Sequence, residues 1–426
     1  MSEDPTLAQA ARVWARIGLL SFGGPAGQIA LMHRELVDQR DWIDEPRFLH
    51  ALNFCMLLPG PEAMQLATYI GWLKHGWRGG LLAGGLFVLP GVAAIMALSW
   101  AYWLWGQGGL LAAAFFGLKA AVVAIVAHAL LRIASKALGS LWAKAIAAAA
   151  FVAIFVLGVP FPLIILAAAA LGYLRGRAAP RDASTPIPRA AKPPATLRIV
   201  ALWGSLWLAP VAALVAVLGA DHIYARVAIY FSQMAVLTFG GAYAVLAWVA
   251  QAAVNDFGWL SAPQMLDGLA MAETTPGPLI MVTQFVGFMA GAGWGGLLAG
   301  SVAGLITVWV TFAPCFLWIF AGAPYAEALR GHPALASALS AVTAAVVGVI
   351  ANLALWFAIH ALFDATQVIA GVELPLWSSV DLAAVGLTIL TLIAVFALGI
   401  GPGWLIFGAA LAGIAVQGAL PALGLG

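Results

Sequence analysis

Two pairs of Gly- and Pro-bearing motifs, repeated 217 residues apart in strongly apolar sequence, constrain this chain more than anything else in it. The first copy carries Ser21-Phe22-Gly23-Gly24-Pro25 and then Leu58-Pro59-Gly60-Pro61-Glu62. The second carries Thr238-Phe239-Gly240-Gly241-Ala242 and then Thr275-Pro276-Gly277-Pro278-Leu279. Trp42 and Trp259 keep the same shift, as do Pro46 and Pro263, so the copies align without a gap across both motifs. Proline lacks an amide hydrogen and glycine gives up helix propensity. Each motif is therefore expected to interrupt a helix and leave backbone N–H and C=O groups unpaired. At membrane depth such backbone is tolerated only where it is buried in protein or lines a wet cavity.

Composition supplies the membrane. Of 426 residues, 64% are hydrophobic and 8% charged, and the mean hydropathy of +1.01 lies outside the range of soluble globular domains. The expected fold is an all-α polytopic membrane protein built from two inverted-topology repeats with interrupted helices, in about 13 apolar segments. In the first half these lie near 8–30, 48–72, 79–105, 109–133, 141–158 and 160–174. In the second they lie near 199–219, 223–250, 264–290, 295–321, 334–362, 380–399 and 402–420. The pairs flanking Pro160 and Pro402 could each be one kinked element. A polar, proline-rich linker separates the halves, giving a first repeat at 1–174, a linker at 175–198 and a second repeat at 199–426 with one extra segment at its start.

The linker holds Arg175, Arg177, Arg181, Arg189, Lys192 and Arg198 against Asp182 alone, which marks it as cytoplasmic by the positive-inside rule. Counting spans outward places fourteen of the nineteen basic residues inside, including Arg12, Arg16, Lys74 and Arg78. Arg34, Arg40, Arg47 and Arg226 then fall outside, and Lys119 falls within a span. The N-terminus is expected to be cytoplasmic and retained, because residues 1–10 lack the basic start and apolar core of a signal peptide. The repeat extends beyond the motifs: Lys119 through His128 resembles Thr343 through Asn352, now shifted by 224. Seven segments separate the starts of the two copies, so the copies should run oppositely through the membrane. If the first two segments of each copy only dip in and return, that parity survives. Inverted repeats with broken helices are how many secondary transporters hold a substrate near the midplane. A duplicated scaffold without transport is the plain alternative.

At these residues the chain resembles the chromate ion transporter family in its long, two-domain form. The likeness rests on Ser21-Phe22-Gly23-Gly24-Pro25, Trp42, Phe48-Leu49, Leu58-Pro59-Gly60-Pro61, Gln65-Leu66-Ala67, Tyr69-Ile70-Gly71, Gly76, Gly79 and Leu89-Pro90. The second copy adds Thr238-Phe239-Gly240-Gly241, Trp259 and Thr275-Pro276-Gly277-Pro278, so the likeness covers nearly the whole chain. It implies an exporter of chromate in the bacterial inner membrane that confers resistance to that ion. The partners implied are chromate or a sulfate-like oxyanion, the lipid bilayer and, for assembly, a second copy in a homodimer.

Chromate, like sulfate, is a tetrahedral dianion, and a site for it needs converging N–H or O–H donors with some positive potential. Free amides at helix N-termini supply both. Pro59, Gly60 and Pro61, and Pro276, Gly277 and Pro278 behind Thr275, can each start a half-helix. Phe22, Gly23 and Gly24, and Phe239, Gly240 and Gly241, let backbone approach a ligand closely. The four breaks are expected to meet at one site; in the plain reading they only kink and pack helices. Lys119 could attract the anion or carry a proton, since an intramembrane charge costs at least ~2.5 kcal/mol unless compensated; alternatively it snorkels. Glu62 is expected in the first turn of its half-helix, stabilising the helix start or competing with the anion until protonated. Asn53 and Gln65 could donate to oxygens. Glu273, Thr274, Thr275, Thr283 and Gln284 cluster around the second copy's break. Asp44 and Ser261 read as N-caps ahead of Pro46 and Pro263. His128 and Asn352 read as interhelical hydrogen bonders, and the charged stretch from Arg34 to Arg47 as a solvated loop that helps draw anions in.

Other classes find less support. No Gly-x-x-x-x-Gly-Lys-Ser/Thr occurs, so no built-in ATPase is expected. A membrane enzyme would want clustered ligands or an activated nucleophile, and the seven His are scattered. Cys55 and Cys315 are separate and read as packed core. No cofactor and no metal are expected. The net charge of +2 gives no reason to expect a nucleic-acid partner.

Overall fold

The computed structural model describes residues 5–22, 24–106, 108–178, 194–239, 242–323, 333–369 and 372–419. In chain order the helices are α1 (Leu7–Leu20), α2 (Gly24–His33, continuing as a wider π turn over Arg34–Asp38), α3 (Glu45–Cys55), α4 (Glu62–Trp105), α5 (Gly109–Ala137), α6 (Leu141–Phe155) and α7 (Phe161–Ala178). Then come α8 (Pro194–Leu218), α9 (Ile223–Leu237), α10 (Ala242–Gln251, with a π turn over Ala252–Asp256), α11 (Ala262–Thr274), α12 (Val282–Gly322), α13 (Pro333–Leu362), α14 (Leu382–Phe396) and α15 (Pro402–Ala419). Among the described residues, five helices are long and apolar enough to cross a bilayer, and shorter apolar helices accompany them. This is a multi-pass α-helical membrane protein.

The chain gathers into two compact units, each drawing on both sequence copies. One comprises Met1–Met96, Ala169–Val245 and Thr275–Leu339; the other comprises Ala97–Ala168, Leu246–Thr274 and Ser340–Gly426. Most of the linker lies outside the described residues, while α7 and α8 run into its two ends. The residues flanking Pro160 and Pro402 form separate helices and are not single kinked rods.

Within the first unit the breaks reverse the chain. Arg16 stands 3.7 Å from Glu35, which also pairs with Arg40, and Arg12 and Arg40 line one surface groove. Residues near the start of α1 thus lie beside the end of α2. The expectation of one continuous span over 8–30, with Arg12 and Arg16 on the face opposite Arg34 and Arg40, is corrected: they share a face. The physical reason is length, since 14 residues of α1 rise only about 21 Å against a core of roughly 30 Å. Contact between His33 and Glu45 brings Arg47 to that end as well. The same correction applies to the span expected over 48–72. Phe54 and Tyr69 pack with ring centroids 5.4 Å apart, so α3 and the start of α4 fold back on each other.

Both long helices are bent double. In α4 the backbone leaves helical geometry at His75 and Gly76 (φ 57°), and in α12 at Gly295 and Gly296 (φ 76°). Only glycine takes such values without strain. The arms then lie side by side: Gly71 abuts Gly79, and Gly84 lies against Thr68 and Met64. In α12, Gly291 abuts Ala299, and Gly300 lies against Phe288 and Ala292. A Cβ at these glycines would strike backbone or the facing side chains, which is why small residues line the seams.

In the second unit α5 is central, packed by α11, α14 and α15. Gly117 meets the Ala409 carbonyl and Gly413 meets Ala113 and Gly117, so α5 and α15 approach almost backbone to backbone. Thr391 of α14 donates to the Ala120 carbonyl at 3.1 Å. One feature was not anticipated: an antiparallel hairpin of β1 (Thr366–Ile369) and β2 (Val372–Pro375), pairing Thr366 with Pro375 and Ile369 with Val372. Its eight strand residues are too few to stand out between two long apolar helices.

Candidate functional site

Ser21 and Thr238 end α1 and α9 with matching geometry, φ/ψ of −82°/72° and −77°/86°. Each forms an inverse γ-turn, closed by Phe22 N–H donating to Leu20 and Phe239 N–H donating to Leu237, both at 3.0 Å. Their fully buried hydroxyls donate back into the preceding helical turn, Ser21 to Gly18 at 2.9 Å and Thr238 to Met234 at 2.7 Å. That leaves the Ser21 and Thr238 carbonyls as helix-end acceptors free to meet an outside donor.

The donors come from the opposite copy. Gly60 N–H donates to the Thr238 carbonyl at 2.8 Å, and Gly277 N–H donates to the Ser21 carbonyl at 3.0 Å. Under the 217-residue shift, one bond becomes the other with the copies exchanged. The break motifs were expected to leave main chain unpaired, yet these two amides are engaged, because each Pro-Gly-Pro loop finds its acceptor across the repeat. Gly60 (φ 121°) and Gly277 (φ 99°) hold backbone conformations that side chains disfavour. A Cβ on Gly277 would stand 3.1 Å from Gly91 Cα, and one on Gly60 would stand 3.1 Å from Cys315 Sγ. Gly91 and Cys315 each follow a mid-helix proline, Pro90 and Pro314, so the backing of each loop is exchanged between copies too.

Glutamine amides complete both clasps. Gln28 Nε2 donates to the Gly277 carbonyl at 2.6 Å and reaches Ser21 O at 3.4 Å, while Gln65 Nε2 donates to the Pro59 carbonyl at 2.6 Å. Gln284 Nε2 donates to Val92 at 3.0 Å. The Oε1 atoms of all three are buried with no donor among the described residues. Gln28 was missed in the sequence, although a polar residue four positions past the first Gly-Gly was a readable signal.

The remaining expected residues are placed as follows. Glu62 is half-buried and is the first residue of α4, where the amides of Glu62, Ala63 and Met64 have no intrahelical acceptor. In the second copy the matching stretch winds first into a 3₁₀ turn, Leu279–Met281. Pro59 is half-buried, whereas Pro61, Thr275 and Pro278 are buried and Pro276 is half-buried. Gly24 opens α2 with φ 70°. The Phe22 side chain is 46% exposed and that of Phe239 half-buried, so only their backbones take part in the turns. Asn53 is exposed on α3. Gly23, Gly240 and Gly241 lie outside the described residues. Asp44 caps α3 by accepting from Arg47 N–H at 2.9 Å, and Ser261 exchanges bonds with Gln264 ahead of α11. Cys55 and Cys315 are free thiols buried in the core.

Lys119 belongs to the second unit. Its Nζ stands 3.7 Å from Asp267 Oδ1, and Tyr102 donates its phenolic proton to Asp267 Oδ2 at 2.8 Å. The Asp267 side chain is 7% exposed and that of Lys119 is 23% exposed. Lys119 lines a cavity of about 650 Å³ with Phe116, Ile414 and Gln417 among its walls. Asp267 was not singled out in the sequence, yet an acidic residue inside the apolar stretch 264–290 carried the same signal as Lys119. His128 points elsewhere, against Phe396 with ring centroids 5.5 Å apart.

Comparison with known proteins relates the sequence to others. The sequence model described as Chromate transporter matches residues 8–173 and 225–414. A chromate transport protein of Pseudomonas aeruginosa is 34% identical over 411 residues, 92% of this chain and 90% of that one. One from Cupriavidus metallidurans is 29% identical over 371 residues, 84% of each chain. An uncharacterized transporter of Methanocaldococcus jannaschii is 24% identical over 347 residues, 81% of this chain and 82% of its own. No solved structure matches the chain significantly.

Proposed function

The chain belongs to the chromate transporter family, and from that premise we propose that it is a secondary transporter carrying chromate outward across the bacterial inner membrane, with the crossed clasps as its substrate site. The observation that carries this reading is the exchange of the two bonds, Gly60 to Thr238 and Gly277 to Ser21, between the copies. Main chain at a helix break, where two repeats meet, is where many secondary transporters hold an ion. An oxyanion oxygen is a stronger acceptor than a peptide carbonyl, because charge-assisted hydrogen bonds are roughly twice as strong as neutral ones. Chromate oxygens therefore replace the Thr238 and Ser21 carbonyls as acceptors for Gly60 and Gly277, aided by the first-turn amides of α4. Binding opens the clasps, and release closes them.

The chain reversals support an inverted repeat with a cytoplasmic N-terminus. Once α1–α2 and α3 with the first arm of α4 are hairpins returning to one face, Arg34, Arg40 and Arg47 join Arg12 and Arg16. Seventeen of the nineteen basic residues then fall on the linker side, with only Arg226 opposite and Lys119 within. The second copy's hairpins enter from the other face. In a cell that is negative inside, a dianion leaving gains ~2.3 kcal/mol per charge per 100 mV, about 4.6 for two, which drives export without ATP.

Chromate uptake into inside-out vesicles tests this. Uptake is expected only with the chain present, to fall when the voltage is collapsed, and to resist excess sulfate. Voltage-independent uptake overturns the driving force. Full displacement by sulfate reassigns the substrate within the oxyanions, and absence of uptake overturns the reading.

A further inference from the structure

The clasps contain no fixed positive charge, and the buried charge of the second unit has no part in them. Asp267 Oδ1 is buried without a hydrogen-bond donor among the described residues. The nearest cation, Lys119, is 3.7 Å away, an ion pair but too far for a hydrogen bond. Lys119 in turn faces the open cavity beside Gln417. One carboxylate oxygen is thus satisfied by Tyr102, while the other has only a loose partner that can turn toward solvent.

Neither member of the pair has a charged counterpart of its own type across the sequence repeat. Under the 217-residue shift Asp267 corresponds to His50, and under the 224-residue shift Lys119 corresponds to Thr343. A charge pair set in apolar sequence, where each ion costs free energy to bury, calls for a use other than packing.

We infer that the Lys119–Asp267 cavity of the second unit is an oxyanion site of its own, separate from the clasps, at which Asp267 binds a proton and Lys119 is shared between its carboxylate and the oxyanion. This rests on the transport reading above and deepens it: a proton that leaves with the dianion reduces the charge on which the voltage acts from two to one. With Asp267 ionised the pair is neutral, and an approaching dianion meets the carboxylate's repulsion as much as the ammonium's attraction. Addition of a proton to Oδ1 from cavity water removes the negative charge, while Tyr102 still donates to Oδ2. Lys119 is then an uncompensated cation at the cavity wall, and a tetrahedral dianion is the ligand that restores neutrality. Only an O–H bond forms, and nothing is oxidised or reduced. Anion binding and proton binding at this cluster strengthen each other by the same factor. Among the described residues, the titratable groups facing Asp267 are Lys119 from α5 and Tyr102 from the end of α4. The described part of α15 contributes Gln417, which does not titrate, and on α11 itself Glu273 lies six residues along.

The test uses the full chain in lipid nanodiscs, with chromate as the probe and a pH-indicating dye recording proton uptake on binding. Wild type is expected to take up a proton with each chromate beyond any that the ion itself releases or binds, and to bind more tightly as pH falls. Asp267→Asn keeps an acceptor for Tyr102 and is expected to bind chromate with that extra uptake abolished and the affinity flat with pH. Lys119→Met is expected to bind at least tenfold more weakly at every pH. Lys119→Asp with Asp267→Lys, which preserves the pair, serves as the folded control and is expected to restore membrane abundance and a pH-dependent affinity. Asp267→Asn matching wild type in proton uptake and pH profile overturns the inference while leaving chromate transport standing. Absence of chromate binding by wild type overturns the transport reading instead.

Discussion

The clasp region and the Lys119–Asp267–Tyr102 cluster are both buried and polar, but they are built by different means. The clasps are main chain, uncharged, and present twice with nearly the same geometry in both copies. The cluster is side chain, charged, and present once. In the proposed inverted repeat, symmetric backbone is offered to either side of a membrane in equal terms, whereas a single charge pair breaks that equality and can time the exchange. The difference separates what the two copies share from what one of them has alone.

The sharpest way to break the comparison is at the glycines. Gly277→Leu and Gly60→Leu each add a side chain where φ is 99° or 121° and a neighbour is already in contact. Strain of about 1–3 kcal/mol falls on the clasp itself. Vesicle uptake is expected to fall at least a hundredfold with membrane insertion retained on immunoblots; wild-type uptake in both would remove the clasps from the substrate path. Next in size, Lys119→Met leaves Asp267 buried and uncompensated, a loss of about 3 kcal/mol seen as a lower melting temperature in detergent. Adding Asp267→Asn is expected to recover most of that loss. A double variant as unstable as the sum of the singles would mean that the two do not act as a pair.

Smaller effects sharpen the contrast. Gln28→Leu strands the Gly277 carbonyl at a cost of about 1–3 kcal/mol and is expected to slow uptake about tenfold without changing its pH profile. Asp267→Asn should do the reverse. Thr391→Val removes one bond to the Ala120 carbonyl beside Lys119, worth about 1 kcal/mol, and is expected to shift thermal stability slightly and transport not at all.

Much of this was legible beforehand because it is written in main-chain chemistry. Pro59-Gly60-Pro61 and its copy could only be breaks, and Asp44 ahead of Pro46 could only start a helix cleanly. The direction of the chain after each break was not legible. Hydropathy over 8–30 is continuous, and only the meeting of Arg16 and Arg40 at Glu35 shows that the segment turns back. Nor was the pairing of the Gly60 and Gly277 amides legible, since their acceptors are 178 and 256 residues away. Lys119 stood out as a lone cation, but its partner comes from α11, 148 residues on, and no local pattern joins them. The β-hairpin was hidden by its brevity.

Neither copy closes its own loop: Gly60 needs Thr238, and Gly277 needs Ser21. A polypeptide carrying just one copy would therefore have dangling donors and acceptors until it met a twin, and the bonds that are internal here would become the seam of that two-chain assembly. With both copies in one chain the twin is fixed at stoichiometry one, and each half can carry residues the other lacks, as Asp267 and Lys119 do where the shifted positions hold His50 and Thr343.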